Sequence, residues 1–195
     1  MRPALTAPVL ARFSVLAAAL VLPLAACNKA PEVSATNATP EEVRAKVAAA
    51  GGGDVMVKPG RWEGTYTMQD MDMPGLPPQA KEAMKKQMGT ARSFVNCVTE
   101  EDVKNQKALY TGGNAKNCKF DHFTLGGGKI DAAMTCDQGA QGKMATVMNG
   151  TYSPDAYHMD MSAKGEGAGP MGGMTMKMSV EAKRVSACTG AKDEK

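Results

Sequence analysis

The clearest pattern in the chain is an alternation of apolar and polar residues that recurs from about residue 57 onward. Between residues 61 and 68, Trp62, Tyr66 and Met68 fall on one side of an extended segment, and the odd-numbered residues between them are polar. A period of two is typical of a strand with one buried face. Comparable segments follow at 93–98, 118–125, 129–136, 143–152, 156–163 and 174–185, which predicts about seven strands.

The connections between these segments predict how the strands pair. Most of them are short, and Gly126, Gly127 and Gly128 separate two segments as a hairpin turn would. Consecutive strands joined by short turns form an antiparallel meander. We therefore predict a mainly β domain over residues 57–190, with about seven antiparallel strands in a curled sheet or partial barrel and two or three short helices.

Helical signals are confined to short stretches. Thr39 and Pro40 are typical of a helix cap and first turn, and Gly51 to Gly53 would end that helix. Its apolar stripe is thin, so we interpret residues 27–56 as a tether that carries a short, lightly docked helix. Further helices are predicted at 79–88 and after Thr99, and residues 191–195 are predicted to be a disordered tail.

The N-terminal 26 residues have the pattern of an export signal. Arg2 and Arg12 precede an apolar run from Phe13 to Ala26, which is shorter than the roughly 20 residues that span a bilayer. The run ends in Leu24-Ala25-Ala26-Cys27, which resembles the lipobox of a bacterial lipoprotein signal peptide. The resemblance implies cleavage before Cys27 and lipidation of its thiol, whereas an ordinary secretory signal and an uncleaved anchor are the alternatives.

The residue after Cys27 and the charge balance bear on location and partners. Asn28 follows the cysteine, and by resemblance to the enterobacterial sorting rule it favours the outer membrane over the inner one. Cleavage would remove two of the 23 basic residues, which leaves 21 against 20 acidic residues. A nearly neutral chain argues against a nucleic-acid partner, because such proteins present a basic face. The predicted partner is the membrane, through the N-terminal lipid, at the periplasmic face of the envelope.

Four cysteines remain for disulfides once Cys27 is lipidated. Cys97, Cys118, Cys136 and Cys188 contain no C-x-x-C pair, so the spacing favours two structural disulfides over redox or zinc chemistry. We prefer the pairs Cys97–Cys118 and Cys136–Cys188. The main alternative joins Cys118 to Cys136, which lie symmetrically about Gly127 in the predicted hairpin.

Several short motifs resemble those of a known family. The run Lys58-Pro59-Gly60-Arg61-Trp62-Glu63 is similar to the opening of the proteobacterial domain of unknown function 3617. The Met71–Gly75 segment, the Cys97–Asp102 segment and Cys188 after Arg184 are also similar, so the resemblance covers about residues 57–190. It implies an exported, often lipid-anchored protein. The family has no established activity, so the resemblance implies no functional residues.

Methionine is the one unusual chemistry of the chain, with 16 residues. Thioether sulfur suits Cu(I) or Ag(I), and imidazole can join it, so a soft-metal site is one hypothesis. Its candidate ligands are His158, Met159, Met161, Met174, Met176 and Met178. However, alternation would place His158 and Asp160 opposite Met159 and Met161. We favour the interpretation that methionines fill the inner face of the sheet or line a concavity suited to an apolar ligand such as an acyl chain.

No residue set in the sequence predicts catalysis. His122 and His158 have no nucleophile or metal partner at a recognised spacing, and we interpret both as surface or strand residues. Gly167 to Gly172 matches a dinucleotide-binding pattern, but Pro170 interrupts it and a strand follows it. We therefore predict a protein that is not an enzyme and needs no cofactor, with a role in binding an apolar ligand or an envelope protein, or in envelope maintenance. Cu(I) or Ag(I) binding is the alternative function.

Overall fold

The structure is a computed structural model that describes residues 32–51, 57–86, 88–105, 117–167, 172–192 and 194. These residues form eight strands and three helices, and all eight strands belong to one open antiparallel sheet. The strands are β1 (Val33–Ala38), β2 (Gly60–Asp72), β3 (Ala91–Val98), β4 (Cys118–Gly126), β5 (Lys129–Asp137), β6 (Lys143–Ser153), β7 (Ala156–Glu166) and β8 (Thr175–Ser186). The helices are α1 (Pro40–Ala49), α2 (Pro78–Lys85) and α3 (Glu100–Lys104). The predicted fold class is confirmed, with one strand more than predicted.

The sheet is a meander with one long-range connection at each side. Its order is β1-β4-β5-β6-β7-β8-β2-β3, so β4 to β8 are consecutive hairpins. The predicted turn after Gly126 is confirmed, since Gly126 pairs with Lys129. The β2–β3 hairpin joins the sheet beside β8, and β1 joins at the opposite edge beside β4. The C-terminal strand therefore lies next to the first strand of the 57–190 segment.

The interpretation of residues 27–56 as a tether is wrong for the part that the structure describes. Val33–Ala38 forms the edge strand β1, and its register with β4 runs from Val33 opposite Leu125 to Ala38 opposite Phe120. The predicted helix is confirmed as α1, and Thr39 and Glu42 form a reciprocal capping box at its start. This helix is not lightly docked, because Val43 and Val47 are 0% and 1% exposed. Only three residues of β1 are buried, and they do not keep a strict alternation, so the strand signal was too weak.

The hydrophobic core lies at the β1 edge of the sheet and extends across the neighbouring strands to Trp62 of β2. Apolar residues of α1, β1, β4 and β5 pack together, and α1 contacts β1 and β4. The β4–β5 register skips Asp121, so Phe120 and Phe123, which are three residues apart, both face the core. Their rings make an edge-on contact with centroids 5.4 Å apart. Trp62 is 1% exposed and continues this cluster on β2. The face that carries these residues is called the inner face.

The two disulfides are Cys97–Cys188 and Cys118–Cys136, so the preferred pairing was wrong and the alternative for Cys118 is confirmed. Cys118 and Cys136 are direct register partners with Cα atoms 4.0 Å apart. Cys97 and Ser186 both pair with Arg61 of β2, so Cys188 reaches Cys97 across the end of that strand. The preferred pairs failed because strands that are neighbours in sequence, β3 and β4, are far apart in the sheet.

The C-terminal residues that the structure describes do not behave as the predicted disordered tail. Glu194 is buried, and its carboxylate accepts hydrogen bonds from the backbone N–H groups of Thr189 and Gly190 at 2.8–3.1 Å. Arg61 donates a further bond at 3.2 Å. Burial alone would raise the pKa of Glu194, but the bonds from Thr189, Arg61 and Gly190 outweigh it and lower that pKa below its ordinary value.

The predicted signal peptide, Cys27 and part of the Gly167–Gly172 motif lie outside the described residues. Among the residues that are described, no helix combines the length and apolar character needed to cross a membrane.

Candidate functional site

A row of methionines crosses the inner face of the sheet. Met148, Met161, Met178 and Met68 are successive register partners on β6, β7, β8 and β2. Residues directly opposite each other in an antiparallel pair have Cβ atoms about 5 Å apart, so these side chains form a continuous stripe. The stripe continues into the core, because Met148 pairs with Ala132 and Ala132 with Phe123.

Further methionines widen the row into a surface. Met176 pairs with Met71, and Met159 lies two residues before Met161 on β7. A Cβ at Gly150 would collide with Sδ of Met159, so this glycine makes room for the thioether on the neighbouring strand. We use the term methionine face for this surface, which comprises Met68, Met71, Met148, Met159, Met161, Met176 and Met178.

The methionine face is only partly covered within the described chain. Every methionine that the structure describes is of intermediate exposure, and none belongs to the fully buried core, which consists of Val, Ala, Leu, Ile and aromatic side chains. Helix α1 contacts β1 and β4, and helix α2 contacts β2. The methionines of β6, β7 and β8 therefore lie between the two helices. The prediction that methionine lines the inner face agrees with this arrangement.

A small cavity lies where α2 approaches the methionine face. Its volume is about 230 Å³, and its lining includes Met68 and Met71 of β2 and Met84 and Met88 of α2 and the turn after it. Met68 and Met71 are three residues apart and would face opposite ways in a regular strand. The β2–β8 register skips Gln69, which brings both side chains to the inner face.

The six residues predicted as soft-metal ligands are divided between the two faces. Met159, Met161, Met176 and Met178 lie on the inner face as register neighbours, and Met174 directly precedes β8. His158 is exposed on the outer face, opposite Glu181 and 3.2 Å from the Asp160 carboxylate. His122 is also exposed and bonds to Asp131. Imidazole therefore does not join the thioethers, as the alternation in the sequence indicated.

The outer face carries a broad trough of about 940 Å³ over β6, β7, β8, β2 and β3. Glu181 in its lining accepts a hydrogen bond from Thr65 at 3.2 Å, and the lining residues Lys183 and Glu63 are register partners. Its floor is the backbone at Gly64 and Ala182, behind which Tyr157 contacts Trp62 with ring centroids 5.6 Å apart. Burial raises the pKa of Tyr157, so its hydroxyl stays protonated and neutral.

The sequence model of one protein family, described as a protein of unknown function (DUF3617), matches residues 57–188. The match covers about two thirds of the chain. The chain belongs to the DUF3617 family. No curated protein and no solved structure shows significant similarity to it.

The DUF3617 region corresponds to a definite part of the structure. It contains β2 to β8, α2, α3, both disulfides and the whole methionine face, and it ends at Cys188. Strand β1, helix α1 and Glu194 lie outside it. The methionine face is thus built within the family region, whereas β1 and α1 complete the core at one edge of the sheet.

Sequence reasoning missed three elements of these sites. The pairing of β8 with β2 places Met176 beside Met71 and Met178 beside Met68. These partners are more than 100 residues apart in the sequence, and no local pattern predicts such a contact. The skipped Gln69 has no sequence signal either. The outer trough depends on the neighbourhood of β6, β7, β8, β2 and β3 in the sheet, which no local sequence pattern indicates. Met84 and Met88 are four residues apart within the predicted helix at 79–88, a spacing that places both on one side of a helix.

Proposed function

We propose that this DUF3617 protein is a non-enzymatic binding module, held by an N-terminal lipid at the periplasmic face of the cell envelope, that binds an apolar chain on its methionine face. The observation that carries the proposal is the continuous row Met148–Met161–Met178–Met68, which lies half-buried between α1 and α2. The occupant that we propose is the acyl chain of an envelope lipid.

Methionine suits this role for a physical reason. Its unbranched side chain and polarisable sulfur fit irregular apolar partners, and binding surfaces that accept varied partners are often rich in methionine. A contiguous apolar surface that is left accessible to solvent is a common mark of an interaction site. A row of methionines about 5 Å apart matches an extended hydrocarbon chain, which needs apolar contact along its length and no hydrogen bonds.

The location in this proposal rests on separate observations. The Leu24–Cys27 run resembles a lipobox, and Asn28 favours the outer membrane over the inner one. Two disulfides suit an oxidising compartment such as the periplasm. Lipid anchoring would hold the methionine face close to a membrane surface, which is the source of the proposed ligand.

The test uses two adjacent residues of β6 that face opposite ways. Met148 lies on the methionine face, whereas Val147 is 40% exposed on the outer face. We expect a fluorescent long-chain fatty acid to bind the wild-type protein. Met148→Lys should weaken binding by roughly tenfold or more, because an ammonium group would have to lose water against the acyl chain.

The control variant is Val147→Lys, which adds the same charge to the same strand and should leave the affinity unchanged. Circular dichroism would confirm that both variants are folded. Absence of binding to the wild-type protein, or an equal loss in the two variants, would contradict the proposed function.

A further inference from the structure

The cavity beneath α2 has a lining chemistry different from that of the rest of the sheet. Four thioethers face it, two from a strand and two from a helix and its terminal turn. Met88 continues the direction of α2, since its N–H donates to the Lys85 carbonyl at 3.2 Å. Side chains four residues apart lie on one side of such a turn, so Met84 and Met88 approach the same volume.

The strand side of the cavity is built by an irregularity rather than by regular pleating. Because the register skips Gln69, Met68 and Met71 both face inward, and each has a further methionine directly opposite on β8. Bulges often redirect side chains next to functional sites. Met178 and Met176 therefore place two further thioethers beside the first pair, on the neighbouring strand.

The cavity lining contains soft ligands and lacks hard anionic ones. Besides the four methionines it is formed by Tyr66, Thr90 and Arg92, so no carboxylate or imidazole of the described residues lines it. Thioethers bind Cu(I) and related soft ions, whereas Mg²⁺, Ca²⁺ and Zn²⁺ prefer oxygen, nitrogen or thiolate ligands. The nearby guanidinium of Arg92 also disfavours a divalent ion more than a monovalent one, because the Coulomb repulsion doubles.

We propose that Met68, Met71, Met84 and Met88 form a binding site for a soft monovalent cation, Cu(I) or Ag(I). This site shares Met68 and Met71 with the edge of the methionine face but takes a different ligand, and it is separate from the ligand set predicted around His158. The cavity is wider than a single ion, so the thioethers must converge on it, which the three rotatable bonds of each methionine side chain allow. Helix α2 can follow, since none of its residues is buried.

Two contacts hold α2 over the cavity while leaving it adjustable. Lys81 pairs with Asp72 at 2.9 Å, and the Gly89 N–H donates to the Met68 carbonyl at 2.8 Å. The ion pair is partly exposed and contributes little, whereas the backbone bond fixes the turn beside Met88. Metal binding should therefore order α2 against β2.

The experiment measures Ag(I) binding, because silver needs no reductant. The full exported protein is purified from the envelope without chelators and titrated with silver nitrate in chloride-free buffer, with calorimetry for affinity and native mass spectrometry for stoichiometry. We expect one Ag(I) per chain. The variant Met84→Leu/Met88→Leu should weaken binding by roughly 100-fold, because leucine keeps the side-chain volume and removes sulfur.

The matched control is Met134→Leu/Met144→Leu, which removes two thioethers outside the cavity and should leave the affinity unchanged. Methionine methyl resonances assigned by NMR should shift at Met68, Met71, Met84 and Met88. No silver uptake, an equal loss in the control, or unchanged affinity in the Met84/Met88 variant would overturn the metal site. Fatty-acid binding measured on the same Met84/Met88 variant should persist, so failure of the metal site is distinguishable from failure of the proposed function.

Discussion

Replacing the two buried valines of helix α1 tests whether this helix packs on the sheet, because a docked helix and a free tether predict changes in stability of opposite sign. If residues 27–56 were a tether, replacing Val43 and Val47 by alanine would slightly favour the helix, because alanine has the higher helix propensity. In the structure both valines are buried in the core beside β1 and β4. The double variant should then destabilise the whole sheet.

The magnitude follows from the buried groups removed. Each Val→Ala change deletes two methyl-sized groups, worth about 1.6 kcal/mol of transfer free energy, and the cavity left behind adds to this loss. The gain in helix propensity returns about 0.5 kcal/mol per site. We therefore expect Val43→Ala/Val47→Ala to lower the free energy of unfolding by about 3 kcal/mol, which corresponds to a fall in Tm of roughly 6–12 °C.

The assay is urea unfolding followed by circular dichroism at constant disulfide state. Glu41→Ala is the control on the same helix, since Glu41 is exposed and outside the capping box, and it should change stability by less than about 0.5 kcal/mol. A double valine variant as stable as the wild type, or more stable, would refute the docking of α1 and restore the tether.

Three further predictions concern the family region and its C-terminal extension. Gly64→Val should unfold the protein or lower its free energy of unfolding by several kcal/mol, because even a Cβ at this position would lie 2.6 Å from the Phe94 ring and 2.7 Å from Ala182. Gly75→Ala is the control, since no atom lies within 4 Å of its added Cβ, and thermal melts should show that it is tolerated. Peptide mapping should find the disulfides Cys97–Cys188 and Cys118–Cys136. Loss of Cys97–Cys188 should lower the free energy of unfolding by about 4.6 kcal/mol and loss of Cys118–Cys136 by about 3 kcal/mol, because Cys97–Cys188 closes the longer loop. Because the pKa of Glu194 is lower in the folded state, its ionised carboxylate stabilises the folded state above the ordinary pKa of 4.5. Glu194→Gln should therefore lower Tm at pH 7, and the difference in Tm from the wild type should vanish as the pH falls through the folded-state pKa. A difference in Tm that does not change with pH would contradict the stabilising role of the carboxylate.

Local patterns predicted most strands because each signal was contained in the strand itself. Trp62, Tyr66 and Met68 marked the inner face of β2, and the glycines after Leu125 marked a hairpin. Strand β1 was missed because its inward residues are Val33, Ala35 and Ala38, which are too small and too few to stand out from a polar tether. Its strand conformation is imposed by pairing with β4, which is a tertiary effect.

The site was predictable in composition and unpredictable in arrangement. Met-x-Met spacing on β7 and β8 indicated an inner face lined with thioethers. The cavity under α2 depends on the residue that the β2–β8 register skips, Gln69, and on the packing of α2 over β2. Neither feature produces a periodic pattern of apolar residues in the sequence. The disulfides show the same limit, since the sheet order decides which cysteines meet.

The most direct test of the central claim, that the methionine face binds an apolar chain, is NMR of the exported protein with ¹³C-labelled methionine methyl groups during titration with a long-chain fatty acid. The account predicts that the resonances of Met148, Met161 and Met178 shift together and saturate with the ligand, while Met134, at the core side of the sheet, moves least. Unchanged methionine resonances at saturating fatty acid would contradict it.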